Sequence, residues 1–124
     1  MANINFVKIG QKSYPVAYPF SALEEMEETL GMTLAEILQG LQNPSIKRIK
    51  VIMCIGLNHG SRLQDIGKAV TYDDVMMDEL FMGNLFNSYR LFAGVLTKQT
   101  GMDKVVAEEE ENDTAKNQKA RAKP

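Results

Sequence analysis

The apolar positions of this chain concentrate in one stretch, Ser45 to Gly60, which reads SIKRIKVIMCIGLNHG. Large apolar side chains stand at positions 46, 49, 52, 53 and 57, the spacing of one helical face. Val51, Cys54 and Ile55 carry that face nearly all the way round. A helix apolar on almost every side either spans a membrane or forms the middle of a core. A span needs about 20 apolar residues. This run is shorter and holds Lys47, Arg48 and Lys50 in its first turns. The pattern therefore predicts a core helix in which Ile46, Ile49, Ile52, Ile55 and Leu57 are buried. At about 1.5–3 kcal/mol per side chain, their burial is worth on the order of 10 kcal/mol.

The flanking patterns predict a cover for this helix. Upstream, Ile4 to Ile9 and Tyr14 to Tyr18 are rich in β-branched and aromatic residues and are separated by Gly10-Gln-Lys-Ser13, which predicts a β-hairpin. Alternation sets Ile4 and Phe6 on one face, with Val16 and Tyr18 opposite them. Pro15 has no N–H to donate and marks the second strand as an edge. Ser21 with Glu24 has the spacing of a capping box and opens a first helix with Leu23, Met26 and Leu30 inward, stopped at Gly31. Thr33 with Glu36 opens a second, Thr33 to Gln42, closed by Asn43-Pro44, and Ser45 caps the central helix. Gly56 and Gly60 around Leu57-Asn58-His59 predict its C-terminal end, with His59 beside the last carbonyls. Residues 61 to 70 read as a connector. Thr71 with Asp74 then opens a fourth helix, Tyr72 to Met82, with Val75, Met76, Leu80 and Phe81 against the core. After Gly83-Asn84 a fifth helix, Leu85 to Lys98, carries Leu85, Phe86, Tyr89, Phe92, Ala93 and Leu96 in helical register. The fold class expected is α+β, mostly α: an N-terminal β-hairpin packed on a small bundle of about five short helices, one domain over residues 1–102. Residues 103–124 run from acid (Glu108 to Glu111) to base (Lys116, Lys119, Arg121, Lys123) with little to bury, and read as a charged disordered tail.

Composition narrows the function classes. A chain of 124 residues with 44% hydrophobic and 24% charged residues is ordinary for a single globular domain. A net charge of −2 argues against a surface built for nucleic acid. The first residues lack the basic and apolar regions of a signal peptide and no stretch is long enough for a bilayer, so the expected location is cytoplasmic, with no membrane partner. One cysteine and one histidine supply neither a disulfide nor a metal-ligand set. Cys54 sits in apolar surroundings that raise a thiol pKa and keep it inert. Gly56 to Gly60 lacks the strand and the Lys-Ser/Thr of a phosphate loop. Asp73 and Asp74 would point about 100° apart on a helix, as first-turn dipole partners rather than an acid–base pair. No catalytic, cofactor-binding or metal-binding residue is expected, and the chain reads as non-enzymatic. Lys47, Arg48 and Lys50 occupy a helix N-terminus that favours anions. They are expected to pair with the glutamates of the first helix, or else to face an acidic partner.

Eight methionines and no tryptophan leave room for adaptable contact surfaces as well as core filling. The last third holds more large apolar groups than one helix face hides. Met76, Met77, Phe86, Tyr89 and Phe92 are therefore candidate protein-binding residues, with core packing as the alternative. Glu24 to Gln42 can also be read as a helix-turn-helix of a small DNA-binding regulator. Its second helix offers only Glu36, Gln39 and Gln42 beside a glutamate-rich first helix, a combination the phosphate field repels.

The order of the motifs carries a resemblance. Tyr14-Pro-Val-Ala-Tyr18, Phe20-Ser-Ala-Leu-Glu-Glu25, Leu30-Gly-Met-Thr-Leu34, Ile55-Gly-Leu-Asn-His-Gly60 and Thr71-Tyr-Asp-Asp-Val75, in this order and spacing, resemble the tail assembly chaperones of long-tailed bacteriophages and related prophages, over about residues 4 to 82. The resemblance implies a small, mostly helical protein without catalytic residues or cofactors. Such a protein coats the hydrophobic tape measure protein in the host cytoplasm, self-associates, and helps tail tube subunits polymerise. It is not retained in the mature virion. In many such phages a ribosomal frameshift adds a longer second form.

Overall fold

The computed structural model describes residues 3–104; most of the charged segment expected to be a disordered tail lies outside them. The elements run β1 (Asn5–Ile9), β2 (Lys12–Val16), α1 (Phe20–Leu30), α2 (Leu34–Gln39), α3 (Ile46–Gln64), a 3₁₀ turn (Ile66–Lys68), α4 (Asp74–Phe81) and α5 (Leu85–Thr100). The fold is mostly helical, with an antiparallel two-stranded hairpin at its N-terminal end.

Helix α3 is the axis. Ser45 Oγ accepts the Arg48 N–H and starts it, and Ile49, Ile52, Met53 and Leu57 are almost wholly removed from solvent. Ile46 is not in the core: at the first helical position it stays 67% exposed. The helix also does not end near His59 but continues to Gln64. Gly56 and Gly60, four residues apart and so on one face, are the track on which β2 lies. A Cβ at Gly60 would overlap the Pro15 carbonyl, and one at Gly56 would stand 2.5 Å from the Tyr18 hydroxyl oxygen. Ala17 N–H donates to the Gly56 carbonyl at 3.1 Å, so the strand passes from its partner strand onto the helix backbone. The Tyr18 hydroxyl reaches further along and donates to the Ile52 carbonyl at 2.7 Å.

The hairpin closes with a two-residue turn, Gly10-Gln11, rather than a four-residue loop, with Gly10 at φ 64. The register pairs Val7 with Tyr14 and Asn5 with Val16. Val7, Ile9 and Val16 face the core and Phe6 turns outward, 58% exposed, opposite Pro15 rather than Val16. A displacement of one residue inverts every side chain of a strand. Residue Gln99 of α5 clamps the hairpin from the other side. Its side-chain oxygen accepts the Tyr18 N–H at 2.6 Å while its amide donates to Asn5 Oδ1 at 2.7 Å.

Helix starts agree with the sequence where a side-chain cap acts alone. Thr33 and Glu36 form the full capping box, and Gly31 ends α1 at φ 64. Ser21 caps nothing: α1 begins two residues after Tyr18, and the Pro19 carbonyl accepts the N–H groups of Ala22 and Leu23. Helix α4 starts at Asp73, whose carboxylate accepts the Met76 N–H at 2.9 Å, rather than at Thr71. It buries Met77 and Phe81, while Val75 is 65% exposed. The basic start of α3 does not meet the glutamates of α1. Lys50 pairs with Asp74 at 3.3 Å, an exposed contact worth about 0–1 kcal/mol. The glutamate of α1 that does reach α3 is Glu25, 2.7 Å from the buried His59. A carboxylate only accepts, so His59 Nε2 carries the hydrogen.

Candidate functional site

A groove of about 760 Å³ lies between α5 and the segment that joins α2 to α3. Leu38, Leu41, Gln42, Asn43 and Pro44 form one wall, and Phe86, Tyr89, Arg90, Ala93, Gly94 and Thr97 form the other, with Met102 at one end. The α2 wall exists because Gly40 ends the helix and Pro44 forbids another helical turn, which leaves an irregular strip. The α5 wall is the stripe 86, 90, 93, 97, one face of a helix by its spacing.

The two walls are joined at the floor. The Tyr89 hydroxyl donates to the Leu41 carbonyl at 2.8 Å, both within the buried interior. Burial pushes this phenol up to about 12 against an ordinary 10.0, and burial, with the nearby Tyr89 as a second cause, pushes Tyr18 well up too. Both phenols therefore stay protonated in the folded protein at a pH where the unfolded chain ionises. A folded-state pKa raised in this way gives stability that is whole below pH 10 and is lost as pH rises from there through about 12. Thermal unfolding should show a midpoint that falls across that window, and falls less steeply in Tyr89→Phe. A midpoint flat in pH would mean that these hydroxyls reach water.

Gly94 is the feature of the groove that internal packing does not explain. It lies in the interior of α5, and a Cβ built there meets nothing within 4 Å. Glycine in a helix interior costs about 0.8–1 kcal/mol relative to alanine. The position is therefore open on the groove side, where an approaching backbone finds no side chain in its way. Phe86 stands on the rim, 67% exposed, and Arg90 is exposed as the one charged residue of the lining among the described residues.

The five residues expected to make protein contacts separate into two groups. Phe86 is at the surface of the groove. Phe92 is fully buried and meets Phe81 edge-on, with ring centroids 5.8 Å apart. Met77 and Tyr89 are 6% exposed and Met76 is half-buried. Met77, Tyr89 and Phe92 thus belong to the core, the alternative the sequence already offered, and Phe86 faces solvent. The residues that sequence reasoning passed over are Leu38, Leu41, Pro44, Arg90 and Gly94. Gly94 had a legible signal, an interior helical glycine with no turn to make.

Elsewhere, Cys54 is half-buried on α3, accepts from Asn58 Nδ2 at 3.4 Å, and has its thiol pKa raised chiefly by burial. Among the described residues no group of three or more His, Cys, Asp or Glu side chains is placed to hold a metal ion. No helix among them is long and apolar enough to cross a membrane. Helix α2, the candidate reading helix of a DNA-binding motif, has six residues and ties the Glu36 carboxylate into its own cap. No known family matches the chain, and neither a curated protein nor a solved structure matches it.

Proposed function

We propose that the protein is a non-catalytic assembly chaperone of the kind its motifs resemble, which holds helical segments of a phage tape measure protein while tail tube subunits polymerise. It self-associates along that rod, acts in the host cytoplasm and leaves before the virion is complete. The observation that carries this reading is the α2–α5 groove, with an apolar rim at Phe86 and a bare helix backbone at Gly94. An amphipathic helix lying in such a groove gains main-chain proximity and buries apolar anchors without a deep pocket. Many weak sites of this sort on self-associating subunits bind a long rod by avidity.

Co-expression with a tape measure protein tests the reading. The wild-type chain should co-purify with it, and Phe86→Asp combined with Gly94→Lys should reduce capture at least tenfold without lowering the melting point. Loss of one central anchor commonly costs about 2 kcal/mol of binding, roughly thirtyfold. Equal capture by both proteins would remove the groove from the function.

A further inference from the structure

We propose that the outer edge of β1 pairs antiparallel with β1 of a second copy, centred on Val7, so that Phe6 of each copy faces Lys8 of the other. The hairpin has two outer edges, and one is already covered. Its two-residue turn makes Ile9 and Lys12 a hydrogen-bonded pair, and alternation puts Val7 with Tyr14 and Asn5 with Val16 in the same class. The backbone N–H and C=O groups of Phe6 and Lys8 therefore point away from β2, and those of Ser13 and Pro15 point away from β1. On the β2 side that space is taken. The Pro15 carbonyl lies against Gly60 of α3, and the Ala17 N–H donates to the Gly56 carbonyl. On the β1 side, among the described residues, no group accepts the Phe6 or Lys8 N–H. Both side chains are exposed there. Gln99 reaches β1 only from the core face, through the Asn5 side chain.

An open edge with a large apolar side chain at its centre is a template for another strand. The sequence Asn5-Phe-Val-Lys-Ile9 selects which one. Phe6 and Lys8 can exchange hydrogen bonds only with residues whose backbone groups also point outward. A second β1 thus has three close registers. Lys8 against Lys8 sets two ammonium groups face to face. Phe6 against Phe6 slides Lys8 opposite Ile4, beyond the start of the strand. Phe6 against Lys8 overlaps all 5 residues of both strands and repeats the same bonded pair by symmetry. It also lays each ammonium over an aromatic ring, an attraction of the cation–π kind. Lys8, a residue type that guards edges, here repels strands with a cation at the facing position and admits this one. The combined sheet has no open edge left, because each outer β2 is sealed by its own α3. The contact makes a dimer and stops there.

This gives the self-association of the chaperone reading a surface on an element that the groove does not use. The test needs no tape measure protein, so either reading can fail alone. Sedimentation equilibrium of the full chain should show a monomer–dimer balance. Phe6→Lys should weaken it by about tenfold or more, since like charges replace both Lys–Phe contacts. Phe6→Lys combined with Lys8→Glu should restore it, with opposite charges at positions 6 and 8 of the facing strands. In the wild type, water exchange of the Phe6 and Lys8 amides, read by NMR, should slow as concentration rises. The Val7 amide, already in the ladder with Tyr14, should not change. This second readout uses the wild type and so holds whether or not a variant folds. A wild-type chain that stays monomeric up to about 1 mM would overturn the proposal. So would a double variant as weak as Phe6→Lys, the result expected of the Phe6–Phe6 register. A dimer whose Phe6 and Lys8 amides exchange as in the monomer would place the contact elsewhere and overturn it too.

Discussion

Gly60→Ala is expected to destabilise the protein by about 3 kcal/mol, the upper range for forcing a methyl group into filled space. The added Cβ would overlap the Pro15 carbonyl and stand 2.7 Å from the Val16 nitrogen, so backbone blocks it on the strand side. Helix α3 cannot yield, because Ile49, Ile52, Met53 and Leu57 fix it in the core. The strand must lift, which strains the Ala17 N–H bond to the Gly56 carbonyl and uncovers Val16. Gly94→Ala is the matched control: the same change, also in a helix interior, should stabilise by about 0.8–1 kcal/mol because nothing opposes the methyl group. Equilibrium urea unfolding of both variants should give midpoints on opposite sides of the wild type. If Gly60→Ala unfolds with the wild type, β2 does not lie on α3.

These two glycines show what a sequence can and cannot carry. Thr33, Glu36 and Ser45 cap helices through bonds that span three residues, so their role is readable locally, and the structure places them as caps. Gly56 and Gly60 act through a chain segment about forty positions away, and glycine near a helix end is locally indistinguishable from a stop. His59 follows them. Once α3 runs on to Gln64, that residue is interior and meets Glu25 instead of solvent. The hairpin forms where expected, and only its turn differs, for a related reason: a four-residue loop and a two-residue turn are both compatible with Gly10-Gln-Lys-Ser13, and the choice decides which face Phe6 takes. In α4 the run Val75-Met-Met-Asp-Glu-Leu-Phe-Met82 holds two overlapping stripes, 76/80 and 77/81, and only the neighbours decide which is innermost.

The site was legible in the same partial way. Helix α5 and its aromatic register follow from spacing, but spacing does not say which aromatic looks inward. A ring at 86 and a ring at 92 lie six positions apart, about 120° apart around a 3.6-residue helix. One side meets α3 and the other meets the solvent of the groove. The wall opposite, from Leu38 to Pro44, carries no motif at all. It is a by-product of stopping α2 early.

Phe92→Ala should therefore act on stability and Phe86→Ala on binding. Deleting a fully buried phenylalanine costs about 3–5 kcal/mol. Here it also removes an edge-to-face pair with Phe81 at an interplanar angle of 84°, an arrangement worth about 0.5–1.5 kcal/mol beyond area. On a domain whose net stability is about 5–15 kcal/mol, Phe92→Ala should lower the melting point by well over ten degrees. Phe86 is 67% exposed, so its truncation should change stability by less than about 0.5 kcal/mol. In the tape measure capture assay the order reverses: Phe86→Ala weakens binding in protein that is fully folded, whereas Phe92→Ala loses binding only in proportion to the fraction unfolded. Measuring both variants well below their melting points separates the two effects. A Phe92→Ala protein that melts like the wild type but fails to bind would put that ring on the surface, and the orientation of α5 would then be wrong by half a turn.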